Sequence, residues 1–378
     1  MKIAINCIFF QPRAGGIAEY IYNLVTNLSQ IDDKNEYVLY VLKDWFNYAC
    51  ENLPPHFRIK TIPYGSSFID VVKRSLFSQK YWSREETVER FDIFHSPFFH
   101  SPRFKKARVI ITVHDMRFVR FPRTYTFPRY LYLQYAVKRS VKAADRIISV
   151  SNFTKSELVD VYRIASSKVN VIYEGVNSER FCEKVLQKQE TPEFTSDFNN
   201  TSFLLAVGHL EPRKNYMRLL EAFDIIKNNP KYEKLKLVIV GKKDHHYHDV
   251  IEYIKKNSDI VYLDFVSLET LVWLYKHATL FVFPSFYEGF GFPPLEAGCM
   301  GTASVVSQVS SMPEVCGDAV AYFDPYNIED MASTISKYLD NEEARSMLLS
   351  KMDAHLKKYS WQKSVEQTLQ IYNSIKCS

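Results

Sequence analysis

The segment FPSFYEGFGFPPLEAGCMG, residues 283–301, carries the most specific pattern in the chain. It begins in an apolar run that predicts a β-strand, and its Pro-Pro pair predicts the start of a helix. Glu288 and Glu296 lie eight residues apart, with glycines between them that free backbone amides. We expect Glu296 in the first helical turn, near the positive end of the helix dipole. A carboxylate there suits the vicinal hydroxyls of a ribose, and Glu288 suits a second sugar. A helix cap and a surface charge are the structural alternatives.

On both sides of this segment, short Val/Ile-rich runs alternate with segments of helical period. The alternation is typical of parallel sheets with helices on both faces, and the continuous apolar runs predict buried strands. In the first half we predict strands at Lys2–Phe9, Tyr37–Leu42, Asp92–His95, Arg108–Val113, Arg146–Val150 and Val169–Tyr173. In the second half we predict strands at Phe203–Val207, Lys236–Val240, Ile260–Leu263, Leu280–Phe283 and Ala303–Val306. The predicted fold class is α/β, with two parallel-sheet domains.

The domain boundaries follow from a polar stretch in the middle of the chain. Residues 182–200 have weak periodicity and predict a linker over 176–200, between domains at 1–175 and 201–358. The tail, 359–378, carries Trp361, Val365, Leu369 and Tyr372 at helical spacing. This helix could pack on either half, and we expect it to return to the N-terminal domain.

Composition excludes several classes of protein. Of the 378 residues, 46% are hydrophobic and 24% charged, which is typical of a globular chain rather than a disordered one. The net charge of +5 is too small to indicate nucleic acid as a partner. The six cysteines are far apart, so neither a disulfide framework nor a zinc site is expected. We interpret the apolar start as a strand rather than a signal peptide, and we expect a cytoplasmic protein.

Two strand ends suit phosphate. Gly15-Gly16 opens an amphipathic helix whose free amides favour an anion, although a tight turn explains the pair equally well. The segment GHLEPRKN, residues 208–215, follows a predicted strand and places Arg213 and Lys214 at its carboxyl end. Open α/β sheets bind ligands at this edge. Solvated surface charge is the alternative, and the neighbouring Glu211 partly supports it.

Taken together, these segments resemble the glycosyltransferases of family 4, which are retaining enzymes of the GT-B fold. The resemblance rests on Gly15-Gly16 with its helix, His114-Asp115, SVSNFTKS (149–156), VIYEGVN (171–177), GHLEPRKN and the two glutamates separated by seven residues. The motifs follow the family order along nearly the whole chain. The resemblance implies two Rossmann-like domains facing a central cleft that holds the active site.

The resemblance implies roles for residues of the second domain. Glu296 would bind the ribose, and Arg213 with Lys214 would neutralise the diphosphate. Glu288 would hold the transferred sugar with the amides that follow it, and the backbone of Val266 would meet the base. The full implied donor set is Gly15, Gly16, Arg213, Lys214, Val266, Glu288, Gly289, Phe290, Gly291, Leu295 and Glu296.

The first domain would contribute fewer groups. Gly15 and Gly16 would approach the phosphate or the acceptor, and His114 would line the sugar pocket with Asp115 fixing its orientation. The implied catalytic residues are Glu288, His114, Arg213 and Lys214. One departure from the family pattern is His209, which stands where many members have an arginine.

The family chemistry is sugar transfer from a nucleotide-sugar, with retention of configuration. The chain has no Asp-x-Asp pair to hold a divalent cation, so we expect no metal and no cofactor beyond the nucleotide-sugar co-substrate. The resemblance favours bacterial mannosyltransferases and GDP-mannose, with a saccharide or lipid-linked saccharide as acceptor in polysaccharide assembly. A sugar-nucleotide epimerase of GT-B fold and a non-catalytic sugar-nucleotide binding protein are the alternatives.

Residues 71–146 predict a peripheral contact with anionic membrane, at its inner face. Basic side chains outnumber acidic ones there, and aromatic residues are interleaved with them, as in interfacial surfaces. The aromatic residues are Phe77, Tyr81, Trp82, Phe118, Phe121, Tyr125, Phe127, Tyr130 and Tyr132. A solvated basic face with aromatic residues in the core is the structural alternative.

Overall fold

β1 (Lys2–Asn6) runs through the middle of a parallel sheet, and Ile3, Ala4 and Ile5 are fully buried. The other strands of this sheet are β2 (Glu36–Leu42), β3 (Arg58–Ile62), β4 (Ile93–Ser96), β5 (Arg108–Val113), β6 (Arg146–Ser149) and β7 (Val169–Val171). In the described residues the order is β3-β2-β1-β4-β5-β6-β7, with every pair parallel. Helices connect the strands: α1 (Gly16–Ile31), α2 (Phe46–Asn52), α3 (Phe68–Glu89), α4 (Arg117–Arg120), α5 (Phe127–Ala143) and α6 (Asn152–Tyr162).

A second parallel sheet forms later in the chain. Its strands are β8 (Phe203–Val207), β9 (Lys236–Val240), β10 (Ile260–Leu263), β11 (Leu280–Phe283), β12 (Ser304–Ser307) and β13 (Ala321–Phe323), in the order β10-β9-β8-β11-β12-β13 among the described residues. The helices are α7 (Tyr216–Lys227), α8 (His248–Ile254), α9 (Leu268–His277), α10 (Phe292–Cys299), α11 (Met312–Cys316), α12 (Ile328–Asp340) and α13 (Glu342–Leu356).

The last helix, α14 (Trp361–Lys376), belongs with the first sheet. It packs against α1, and its Tyr372 is fully buried. The chain therefore forms an N-terminal unit, Met1–Gly175 with the segment from Ser360 onward, and a C-terminal unit, Val176–Tyr359. This computed structural model describes residues 1–12, 15–177, 180–182, 185, 198 and 201–376, so most of the predicted linker lies outside the described residues.

Several strand predictions need correction. The first strand ends at Asn6 rather than Phe9, because the chain turns there and the Phe10 N–H bonds back to the Cys7 carbonyl at 2.9 Å. Strands β3 and β13 were not predicted, and β7 is shorter than expected. All three are edge strands, and only one of the five side chains of β3 is buried. In β3 and β7 polar or charged residues interrupt the apolar run that identifies a buried strand, and β13 has only three residues.

Candidate functional site

Arg213 and Lys214 lie in the loop between β8 and α7, at the carboxyl edge of the second sheet. Both are buried, with 9% and 8% of their surface exposed. The interpretation as solvated surface charge is therefore wrong, and the neighbouring Glu211 is buried as well. By contrast, His209 is half exposed and lies near Asp244, with 3.8 Å between Nδ1 and Oδ2.

Glu288 brings the two cations together. Its Oε1 accepts from Lys214 Nζ at 2.7 Å, and its Oε2 lies 2.6 Å from Arg213 Nη1. Arg213 also donates to Glu211 Oε1 at 2.6 Å. Burial alone would raise the pKa of Glu288, but the charges of Arg213 and Lys214 outweigh it and lower the pKa to about 2. The cluster is two buried cations neutralised by the buried Glu211 and by Glu288, whose side chain is 12% exposed.

Local backbone geometry makes this cluster possible. Gly208 has a φ of +151°, and a Cβ there would lie 2.9 Å from Lys214 Cε, so a larger residue would obstruct the lysine side chain. The Lys214 ammonium also stands over the Phe283 ring, 4.7 Å from its centroid. Arg213 donates to the Tyr287 carbonyl at 2.6 Å, which ties the loop after β8 to the loop after β11. The loops that follow β8 and β11 thus form one site.

The glycine-rich loop after β11 is held by the loop after β12. The Glu288 N–H donates to Ser310 Oγ at 3.1 Å, and Ser311 Oγ donates to the Glu288 and Phe290 carbonyls, both at 2.9 Å. Gly291 has a φ of +102°, and a Cβ there would lie 2.0 Å from Met312 Cε. Only glycine fits that position. Sequence reasoning missed Ser310 and Ser311, because isolated serines carry no motif.

Glu296 lies in α10, but not in its first turn. The helix begins at Phe292, one residue before the prolines, so Glu296 is its fifth residue and the prediction of a first-turn position is wrong. The buried hydroxyl of Tyr275, on α9, donates to Glu296 Oε2 at 2.9 Å. Leu295 is fully buried in the core, so only its backbone is available to a ligand. Val266 is partly buried in the loop between β10 and α9.

In the N-terminal unit, His114 follows β5 and bonds through both ring nitrogens. Nδ1 lies 2.9 Å from Glu174 Oε1, and Nε2 lies 2.9 Å from the Pro97 carbonyl. Asp115 accepts from the Arg117 N–H at 3.0 Å and so shapes the turn into α4 rather than contacting the imidazole. Glu174 was not predicted as a site residue, although the motif VIYEGVN contains it and it also follows a strand.

Gly16 is the first residue of α1, and Gly15 precedes it as the N-cap residue. A Cβ added at either glycine would meet nothing within 4 Å. Packing within the described structure therefore does not require glycine here. Arg13 and Ala14 lie outside the described residues.

The basic and aromatic segment 71–146 divides between core and surface. Trp82 and Phe118 are buried, so the prediction that they face lipid is wrong. One face of α5, by contrast, exposes Phe127, Leu131 and Tyr135 at four-residue spacing, beside basic residues of the same helix. No helix within the described ranges is both long and apolar enough to cross a bilayer. The described residues also contain no group of three or more His, Cys, Asp or Glu side chains that could hold a metal ion.

Comparison with known families matches both halves of the chain. Residues 14–180 match the family described as Glycosyltransferase Family 4, and residues 187–355 match Glycosyl transferases group 1. The O-antigen chain mannosyltransferase B of Escherichia coli is 31% identical over 288 residues, covering 74% of each chain. The chain belongs to glycosyltransferase family 4. It is a hexosyltransferase that resembles mannosyltransferases.

Other relatives agree with this assignment. The O-antigen chain mannosyltransferase RfbU of Salmonella typhimurium is 31% identical over 242 residues, covering 60% of this chain and 63% of that protein. Among solved structures, sucrose-phosphate synthase from Thermosynechococcus elongatus aligns over 100% of this chain and 99% of its own, with a TM-score of 0.76 at 17% identity. Anabaena HepE in complex with UDP and glucose aligns over 99% and 100%, with a TM-score of 0.73 at 15% identity. The fold is GT-B.

Proposed function

We propose that this family 4 enzyme transfers mannose from GDP-mannose to a saccharide or lipid-linked saccharide, with retention of configuration. The observation that carries the proposal is the buried cluster of Arg213, Lys214 and Glu288, on an edge of the sheet that suits a sugar diphosphate. The choice of mannose rests on the relatives named as O-antigen chain mannosyltransferases.

The cluster can serve a donor only if Glu288 changes partners. A diphosphate brings its own negative charge to Arg213 and Lys214, which prefer phosphate oxygens in charge-assisted hydrogen bonds. The Glu288 carboxylate is then released to accept from hydroxyls of the transferred sugar. Glu296, on the next helix, would accept from the ribose hydroxyls. Glu288 thus neutralises the two cations when no donor is bound.

The proposed reaction needs no nucleophile from the protein. The bond between the sugar C1 and the diphosphate oxygen breaks, and a bond from C1 to the acceptor oxygen forms on the same face. The acceptor proton moves to the departing phosphate oxygen, and GDP leaves. Arg213 and Lys214 stabilise the charge that develops on the phosphate. Electrostatic stabilisation of this kind is usually the largest single contribution to the rate enhancement. Glu288, which is ion-paired on both oxygens when no donor is bound, serves the sugar as a hydrogen-bond acceptor.

Gly15 and Gly16 fit a role in close approach. No contact in the described structure requires glycine at either position, which is compatible with the close approach of a ligand. The amides that open α1 would face a phosphate or an acceptor oxygen. His114 would lie on the sugar side of the N-terminal unit, where three loops meet at its ring.

A donor panel tests the proposal. Purified protein is incubated with GDP-mannose, GDP-glucose, UDP-glucose and UDP-galactose, with mannosyl oligosaccharides as acceptors, and the anomeric configuration of the product is read by NMR. We expect transfer from GDP-mannose to an α-linked product, unchanged in excess EDTA. Transfer from UDP-sugars alone would refute the donor, a β-linked product would refute retention, and rescue of an EDTA-treated enzyme by magnesium would refute metal independence.

We also propose that the exposed face of α5 rests on anionic lipid, where a lipid-linked acceptor would be found. Phe127 and Tyr135 are 71% and 66% exposed, and Lys138 and Lys142 follow on the same helix. Aromatic rings at the headgroup level and basic side chains toward phosphate are typical of interfacial helices. Each engaged cation contributes about 1 kcal/mol near an anionic surface.

Co-sedimentation tests this surface. We expect binding to vesicles that contain phosphatidylglycerol, weak binding to phosphatidylcholine vesicles, and release at high salt, because the Debye length falls to about 3 Å at 1 M. Replacing Phe127 and Tyr135 by serine should lower binding, whereas Tyr326→Ser, at a residue 63% exposed in the C-terminal unit, should not. Equal binding to both vesicle types would refute the proposal.

A further inference from the structure

Three loops of the N-terminal unit meet at one imidazole ring. His114 follows β5, Pro97 follows β4 and Glu174 comes after β7, and the ring bonds to the latter two. Glu174 is buried, with only 3% of its surface exposed. The ring edge of Tyr20, on α1, packs against His114 with 4.8 Å between the ring centroids. His114 therefore has a fixed position that several elements define.

The two partners of His114 determine where its protons are. A peptide carbonyl can only accept, so Nε2 must carry a hydrogen to bond with Pro97. A carboxylate also only accepts, so Nδ1 must carry a hydrogen to bond with Glu174. A neutral imidazole has one N–H and satisfies just one of these acceptors. With Glu174 ionised, both bonds at 2.9 Å require the imidazolium.

The charged groups around the ring are consistent with this proton count. Burial lowers the pKa of His114, but the hydrogen bond and charge of Glu174, with smaller contributions from the Pro97 carbonyl and Asp115, raise it above the ordinary 6.5. The neighbouring His95, on β4, is fully buried, and its pKa is lowered to about 3 by burial and by the charge of His114. Tyr20 stays protonated, since burial raises its pKa. His114 and His95 thus form a charged and a neutral histidine side by side.

We propose that Glu174 is a positioning residue that keeps His114 doubly protonated, so that the charged ring holds the loops after β4, β5 and β7 in one arrangement. The functional part of this inference rests on the proposed transferase role of His114. The imidazolium has no lone pair, so His114 is not a general base. It acts as a fixed positive charge, because both of its N–H groups are taken up by Glu174 and Pro97.

The sign of the pH dependence follows from the direction of the shift. The pKa of His114 is raised in the folded protein, so its ion pair stabilises the fold fully below the unfolded pKa near 6.5. The stabilisation is lost as pH rises through the folded pKa. On deprotonation, the bond to Glu174 or the bond to Pro97 is lost, and the loops are no longer tied together. Transfer should therefore fall on the alkaline side, and Glu174 should set where it falls.

The first test reads the ring directly. Full-length protein is labelled with 15N-histidine, the His114 signal is identified by its absence in His114→Gln, and it is followed from pH 5 to pH 9. We expect both ring nitrogens protonated at neutral pH in the wild type, and titration about one pH unit or more lower in Glu174→Gln. Glu174→Asp, which keeps the charge, should restore part of the shift. The matched control Glu157→Gln removes another buried carboxylate of the same unit and should leave the His114 signal unchanged.

The second test reads transfer. In kcat/KM against pH, the alkaline limb of Glu174→Gln should move to lower pH by the shift seen in the NMR titration. A neutral His114 at pH 7 in the wild type, or a titration that Glu174→Gln leaves unmoved, would overturn the proposal. If Glu174→Gln does not fold, the wild-type and Glu174→Asp spectra decide between these outcomes. A wild type that shows no mannosyl transfer, while Glu174→Gln still shifts the His114 titration, would refute the proposed function and leave the positioning role of Glu174 standing.

Discussion

Each unit pairs a cation with a carboxylate in loops that follow parallel strands, with little of either side chain exposed. The two pairs differ in which partner titrates. In the C-terminal unit, Glu288 pairs with Lys214 and with Arg213. Burial lowers the pKa of Lys214, but an arginine keeps its charge throughout the physiological range. In the N-terminal unit, Glu174 pairs with His114, whose charge changes near neutrality. The first pair therefore provides constant charge, and the second provides charge that depends on pH.

The two pairs are consequently lost at opposite ends of the pH scale. The pKa of Glu288 is lowered from 4.5 to about 2, so its contribution to stability is present above the unfolded value and is lost as pH falls toward 2. The pKa of His114 is raised, so its contribution is lost as pH rises. A diphosphate needs a cation at every working pH, which a histidine does not supply. The difference between the pairs thus matches the roles proposed for the two units.

The largest effect should come from removing the constant charge. Arg213→Ala with Lys214→Ala should lower kcat/KM by about 100-fold to 1,000-fold or more, because each donor to developing phosphate charge typically contributes that much. Steady-state kinetics with GDP-mannose measure this loss. The double variant leaves Glu288 buried without these partners, so the triple variant with Glu288→Gln is compared for stability. Lys231→Ala, at an exposed pair with Asp340, is the control, and equal activity in all variants would contradict the role of the cluster.

An intermediate effect should separate the two glutamates. Glu288→Gln should lower turnover at saturating donor by about 10-fold to 100-fold, since its carboxylate contacts the reacting sugar. Its affinity for GDP alone should stay the same or rise, because Arg213 and Lys214 lose an internal partner. Glu296→Gln should instead weaken GDP binding about tenfold with little change in turnover, as expected for a contact made equally in ground and transition states. Calorimetry with GDP and turnover at saturating donor give both quantities.

Either of two results would contradict that division. Wild-type turnover in Glu288→Gln would remove its contact with the sugar. Weaker binding of GDP to the same variant would show that Glu288 does not compete with the diphosphate for Arg213 and Lys214.

The buried centre of the fold was predictable from sequence because central parallel strands are apolar on both faces. The central strands Phe203–Val207, Lys236–Val240 and Leu280–Phe283 match the predicted bounds, and so does the apolar edge strand Ile260–Leu263. The edge strand β3 was missed because Arg58 and Lys60 interrupt its apolar pattern. A continuous apolar run is not expected where one face of a strand meets solvent, so such a strand is harder to predict.

Sequence motifs predicted which residues belong to the candidate site but not which of them contact each other. The motifs located Arg213, Lys214, Glu288 and Glu296, but they do not say that Glu288 neutralises the two cations, because that pairing joins residues 74 positions apart. The same limit applies to Tyr275, which sits among apolar residues of an ordinary amphipathic helix and has no motif of its own. Tertiary packing, rather than local pattern, brings such partners together.

The smallest effect should come from Tyr275, and it would sharpen the description of the C-terminal unit. The Tyr275 hydroxyl donates to Glu296 Oε2 at 2.9 Å, and its pKa is raised by burial and by Glu296, so it remains a donor at any working pH. Tyr275→Phe keeps the ring and its packing but leaves Glu296 without this donor. A lost hydrogen bond of about 1 kcal/mol corresponds to a roughly fivefold rise in Kd for GDP, with turnover at saturating donor unchanged.

The decisive readout is discrimination between GDP and 2′,3′-dideoxy-GDP. If Tyr275 orients Glu296 toward the ribose, the wild type should prefer GDP, and Tyr275→Phe should lose part of that preference. Tyr253→Phe is the matched control, because Tyr253 donates to the carboxylate of Asp224 elsewhere in the same unit. Equal preference for GDP in the wild type and in Tyr275→Phe would mean that Tyr275 stabilises α9 and α10 without orienting Glu296. Loss of preference in both variants would point to a general effect of removing a buried hydroxyl, because only the contact at Glu296 should change how the enzyme distinguishes a ribose from its dideoxy analogue.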